Sequence, residues 1–205
     1  PPNTYPSRAK AGGHYLSAQL MKMEAMENGY GDAIALGPDG LVSEGSGMNI
    51  FLVRDGVIIS PFLDGTSLAG ITRDSVIIMA RDLGYDVQEQ HIPRESLYTA
   101  DELFFTGTAT EVTPIRSVDG IVIGEGKAGS VSLELQAHFW ETVKGENDDP
   151  HGWRIAQLLR IAAKPMVKPG YAGIHKAVAR LDSQCYFCDH IVSYRPTRSD
   201  CRRNH

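Results

Sequence analysis

At 205 residues, with 42% hydrophobic and 22% charged content, the chain is long enough to bury a sizeable core and has the composition of a globular rather than a disordered protein. No run of roughly 18 apolar residues could span a bilayer, and the opening ProProAsnThr lacks the basic and apolar regions of a signal peptide, so a cytoplasmic location is expected. The net charge of −5 is uneven: residues 1–153 hold 10 Lys and Arg against 22 Asp and Glu, whereas residues 154–205 hold 10 against 3 together with all three cysteines.

The acidic body therefore has no thiol and cannot be a disulfide scaffold, which fits a reducing compartment. Residue 1 is Pro rather than Met, and an upstream segment is expected to precede it.

In chain order, His14 to Asn28 carries Tyr15, Leu16, Leu20, Met23 and Met26 at roughly helical spacing, with Gly29 as a stop, and predicts a helix just after Lys10. Asp32 to Leu36 and Ile50 to Val53 read as strands flanking SerGluGlySerGly, and ArgAspGly at 54–56 before ValIleIleSer reads as a hairpin turn. Gly70 to Leu83 is the clearest helix, because Ile71, Val76, Ile77, Ala80 and Leu83 form one apolar stripe, with Thr72 as a candidate cap and Gly84 at the end. Leu103 to Thr106 predicts a strand running into GlyThrAlaThr. IleValIleGly after AspGly predicts another strand, and Val131 to Val143 a closing helix. The fold class is mixed α and β (α+β), without internal repeats.

Four segments carry candidate chemistry. In LysAlaGlyGlyHisTyr at 10–15, two glycines let the backbone approach a planar ligand, and a lysine there could form a Schiff base once burial favours its neutral amine. A lone loop lysine is more often simply exposed. Glu44 stands among glycines between two strands, where a carboxylate could hold a protonated ring nitrogen or could merely face solvent. Gly70, Ile71 and Thr72 open a helix whose free amides are a natural phosphate seat, a property of every helix start. GlyThrAlaThr at 107–110 is a small-residue turn able to bind phosphate or carboxylate, or an ordinary turn.

Taken in order, LysAlaGlyGlyHisTyrLeu, IleAlaLeuGlyProAspGlyLeuValSerGluGlySerGlyMetAsnIlePhe, SerLeuAlaGlyIleThrArgAsp and GluLeuPhePheThrGlyThrAlaThrGluValThrProIle resemble the class IV (fold type IV) pyridoxal-phosphate aminotransferases, most closely the branched-chain type. AspGlyIleValIleGlyGluGlyLysAlaGly adds to the branched-chain match, and the resemblance covers about residues 1–153. It implies a large C-terminal domain like that of D-amino acid aminotransferase, pyridoxal 5′-phosphate as cofactor, and transamination of Leu, Ile or Val with 2-oxoglutarate. Relatives acting on D-amino acids or aminodeoxychorismate share the same lysine and glutamate and remain alternatives, as does an inactive fragment. Carried over by position, Lys10 would hold the cofactor and shuttle a proton, Tyr15 would bond the ring hydroxyl, and Glu44 the ring nitrogen. Leu68 would cover the ring face, Ile71, Thr72 and Thr108 would bind phosphate, and Gly107, Thr108 and Ala109 would take the substrate carboxylate. The resemblance further implies a homodimer, with amino acids and 2-oxo acids as small-molecule partners and neither membrane nor nucleic acid.

The family's chains carry an N-terminal domain before the lysine, and that domain is expected to be absent from this sequence. After GluAsnAspAspProHisGlyTrp the family's chains normally end, yet this one continues as a basic segment over residues 154–205, the kind of change a shifted reading frame or lost stop codon produces. Arg154 to Ala163 is a helix candidate within it. Cys185, Cys188, Cys201 and His205 have the spacing of a zinc finger without its apolar core positions, so no metal is expected there. A net positive tail could also bind nucleic acid weakly, in a salt-sensitive way.

Overall fold

The computed structural model describes residues 8–154. Of the helix candidate over 154–163 only Arg154 is described, outside any helix or strand, and the four zinc-like positions and the basic tail beyond Arg154 lie outside the described residues. The chain divides into two compact units, the first including Pro1–Phe139 and the second beginning at Trp140.

The first unit is built on a mixed five-stranded sheet. Its strands are β3 (Asn49–Arg54), β4 (Val57–Pro61), β5 (Val87–Gln90), β6 (Glu102–Gly107) and β7 (Glu111–Pro114), in the order β5-β4-β3-β6-β7. β3 and β4 form the predicted hairpin: Arg54 pairs with Val57, and the two turn residues Asp55 and Gly56 have φ of 52° and 76°, the left-handed pair that matches the twist of the strands. β4 and β5 are parallel, so the chain must cross over between them, and α2 (Ile71–Asp82) makes that crossing.

Side-chain alternation along β3 and β6 divides the core. Ile50, Leu52, Leu103 and Phe105 point to one face, where they meet Val42, Leu97 and Ile115. Phe51, Val53 and Phe104 point to the other, against Val76, Ile77 and Ala80 of α2 and Val131 and Leu135 of α3 (Ser130–Lys144). Phe51 and Phe104 stack with ring centroids 5.0 Å apart. A sheet covered on both faces explains why its central strands read as near-continuous apolar runs.

One departure from the sequence reading, at Glu44, concerns the site, and α1 forms as expected with a feature that spacing did not address. The apolar stripe of α1 (Tyr15–Glu27) does not meet the core of the unit: Leu16, Leu20, Met23 and Met26 are 58–68% exposed, and only Ala25 is buried. Glu44 is not in a loop between strands but within β2 (Val42–Gly45), which pairs antiparallel with β1 (Ile34–Leu36). Small residues suggested a loop there because they lack strand propensity, but tertiary packing decides: a Cβ on Gly45 would come 2.8 Å from the Phe105 ring, so only glycine lets β2 lie that close. A short ribbon, β8 (Ser117–Val118) and β9 (Ile121–Val122), completes the unit. In the second unit, the Arg154 guanidinium donates to the Asn147 carbonyl at 2.6 Å and faces Asp149.

Candidate functional site

A cavity of about 530 Å³ opens between the start of α1, the β2 to β3 turn, the start of α2 and the end of β6. Lys10, Tyr15, Glu44, Leu68, Ile71, Thr72, Gly107, Thr108 and Ala109, drawn from four separated segments, all line it. A second cavity of about 390 Å³ holds Arg94 and Asp119, already paired with each other at 2.8 Å.

Lys10 stands at one wall with its Nζ 5.7 Å from the centre of the Tyr15 ring, a cation over an aromatic face. Its side chain is exposed in the chain itself; the desolvation that would favour its neutral amine is the one expected beside a cofactor. The 3-10 turn Gly12–His14 leads straight from it into α1, which fixes Tyr15 beside it.

Glu44 is the electrostatic centre of the cavity. Burial pushes its carboxyl up to about 6, opposed by a hydrogen bond from the Leu68 N–H and by the charge of Lys10. Oε2 accepts that N–H at 2.9 Å. A carboxylate desolvated on one side and facing a cation on the other is suited to hold a protonated heterocyclic nitrogen.

The far wall is the N-terminus of α2. Gly70 is the N-cap in extended conformation and no side chain caps the helix, so Thr72 is not the cap its sequence position suggested; its side chain is buried in the first turn. The first amides are therefore left for a ligand. Arg73 anchors this turn from behind: its Nε donates to Ser60 Oγ at 3.0 Å, its Nη2 donates to the Pro61 carbonyl at 3.1 Å, and it pairs with Glu89. The Ile71 side chain is 85% exposed, so this residue enters the site through its backbone.

Gly107 ends β6, and Thr108 and Ala109 make the turn into β7, braced by a hydrogen bond from Thr113 Oγ1 to the Thr110 carbonyl at 2.6 Å. Among the lining residues that sequence reasoning missed are Asn49 and Thr106. Both are buried polar residues on otherwise apolar strands, and that interruption of an apolar run was the available signal. They face each other in the β3–β6 register, and the Thr106 hydroxyl has no partner among the described residues.

The family model for amino-transferase class IV matches residues 1–118, more than half the chain. The chain belongs to the class IV aminotransferases. Among class IV aminotransferases, the branched-chain-amino-acid aminotransferase of Escherichia coli (strain K12) is 51% identical over 152 residues, covering 74% of this chain and 49% of that protein. Its counterpart in Pseudomonas aeruginosa is 45% identical over 148 residues, covering 72% and 48%. The solved Escherichia coli enzyme superposes with a TM-score of 0.72 over 74% of this chain and 52% of its own. The branched-chain amino acid aminotransferase from Thermobaculum terrenum, solved in its PLP form, gives 0.69 at 40% identity, covering 71% and 48%. The chain thus has a class IV aminotransferase fold and spans about half the length of the relatives it matches.

Proposed function

We propose that this chain forms the cofactor-binding part of a pyridoxal 5′-phosphate-dependent aminotransferase that exchanges the amino group of Leu, Ile or Val with 2-oxoglutarate. The convergence of Lys10, Glu44 and the uncapped start of α2 on one cavity carries this reading. The branched-chain relatives at 45–51% identity favour it over a D-amino acid aminotransferase or an aminodeoxychorismate lyase.

The residues present suit that cofactor. Glu44 matches a ring nitrogen, the α2 amides of Ile71 and Thr72 with the Thr108 hydroxyl match a phosphate, and Leu68 can cover a ring face. When bound, pyridoxal phosphate supplies an aldehyde that condenses with amines and a ring that delocalises the electron pair left when a proton departs from the substrate Cα. Lys10 Nζ would hold the cofactor and is the amine placed to take and return a proton at the substrate Cα. Glu44 would keep a proton on the ring nitrogen, and the Tyr15 phenol would donate to the ring oxygen. The amides of Gly107, Thr108 and Ala109 orient the substrate carboxylate.

Residues 1–153 would constitute this domain and residues 154–205 a separate basic segment, with the protein working in the cytoplasm as a homodimer. The exposed apolar stripe on α1 supports an assembly that covers it. Among the described residues, no helix is long and apolar enough to cross a membrane.

The test is borohydride reduction of the full chain with pyridoxal phosphate, peptide mapping, and amino-transfer assays against Leu, Ile, Val and D-amino acids. Label concentrated on Lys10 with transfer from the branched L-amino acids is expected. Label spread over the exposed lysines, or absent from Lys10, overturns the reading.

A further inference from the structure

Asn49 opens β3 on the face that carries Phe51 and Val53 towards α2, and its side chain is buried where an amide without partners would be costly. Its Nδ2 donates to the Leu68 carbonyl at 2.8 Å. Its Oδ1 lies against Gly70, so close that a Cβ there would come within 2.0 Å of it. Gly70 has φ −79° and ψ 134°, a backbone any residue can adopt; glycine stands there because Asn49 occupies the space. The Leu68 N–H is held from the same wall by Glu44. Residue 68 is thus gripped on both its N–H and its C=O by two side chains five positions apart, and the gripped segment runs directly into the free amides of α2.

We infer that Asn49 is a positioning residue for the phosphate-bearing ligand: it fixes the Leu68–Gly70 segment so that the ring-covering side chain and the α2 amides stand in register with the Glu44 carboxylate. This rests on the proposed function for the identity of the ligand, while the grip itself belongs to the unliganded chain. Without Asn49, Glu44 is the side chain that still ties the segment to this wall among the described residues, and that tie weakens when Glu44 takes up a proton. The same contact makes Asn49 and Gly70 a coupled pair, because the side chain that a larger residue 70 strikes is that of Asn49.

The experiment uses the full chain and the variants N49A, G70A and N49A/G70A. Pyridoxal phosphate affinity is read by absorbance titration, and the Glu44 carboxyl by carbon NMR without cofactor. N49A is expected to weaken pyridoxal phosphate binding about tenfold or more, to leave the site of attachment at Lys10, and to make Glu44 titrate higher as the Leu68 N–H loosens. G70A should lose binding as well, with the double variant no worse than N49A. Binding by N49A within about twofold of the parent together with an unmoved Glu44 titration, or single losses that add in the double variant, overturns the inference. If the parent itself does not attach pyridoxal phosphate at Lys10, the functional reading fails, and the Glu44 titration still decides for or against the grip. Should N49A not fold, N49L keeps roughly the shape, adds no charge and cannot donate to the Leu68 carbonyl, and it carries the same expectations.

Discussion

Glu44 and Leu68 stand 24 positions apart in sequence, yet the carboxylate of one accepts the backbone N–H of the other at 2.9 Å, joining β2 to the segment before α2. The bond keeps an acidic group in a place where burial disfavours its charge, and the carboxyl rises from 4.5 to about 6. Between those values the folded chain binds more protons than the unfolded one, so the Glu44 contribution to stability falls as pH rises from about 4.5 to about 6 and stays lost above. Glu44→Gln is therefore expected to stabilise the cofactor-free chain by about 1–2 kcal/mol at pH 7.5 and by little at pH 4. Urea unfolding at the two pH values checks it; an equal effect at both would contradict the assignment.

Arg73 is buried to 4% exposure with its guanidinium shared among Ser60, Pro61 and Glu89. Arg73→Met leaves the Ser60 hydroxyl and the Pro61 carbonyl without their donor and is expected to cost about 3 kcal/mol or more. Arg73→Lys cannot reproduce the forked contacts and should recover only part of this, as measured by the denaturant midpoint.

At the start of α3, the Glu102 carboxylate accepts the N–H groups of Val131 at 3.0 Å and Ser132 at 2.8 Å, capping the helix from a distant strand. Glu102→Ala should destabilise by about 1–2 kcal/mol. Hydrogen exchange should show the added opening concentrated in the first turn of α3.

Leu20 and Met23 on α1 lie 68% and 58% exposed. Replacing either with Lys should change the stability of the isolated chain by no more than about 0.5 kcal/mol. It should also lower self-association measured by light scattering; a large loss of stability without change in association would show that these side chains are packed within the chain.

The two long stripes show what was legible in the sequence and what was not. Those of α1 and α2 have the same helical spacing, and both helices form, but Val76, Ile77 and Ala80 are buried whereas Leu16 and Leu20 are not. Spacing reports that an apolar face exists and is silent on what covers it. β5 escaped notice because ValGlnGluGln is polar at an edge, where only Val87 is buried. The site residues were found through motifs, because Lys10, Glu44, Thr72 and Thr108 belong to segments with recognisable order. Asn49 was passed over because a single amide at the head of an apolar strand gives no motif; its role depends on Leu68 and Gly70, about twenty positions away, coming to meet it.

The pairing of β3 with β6, which sets Asn49 opposite Thr106, has a consequence for biosynthesis. The lysine, the carboxylate and the start of α2 leave the ribosome well before the strand that closes the cavity, and local hairpins and helices can form meanwhile. The cavity acquires its last wall only after Gly107 to Ala109 have emerged and β6 has docked beside β3. Until then a nascent chain offers the Lys10 amine and the α2 amides without the wall that Thr106 to Ala109 supply, so the complete seat for an aldehyde cofactor exists only once β6 has docked.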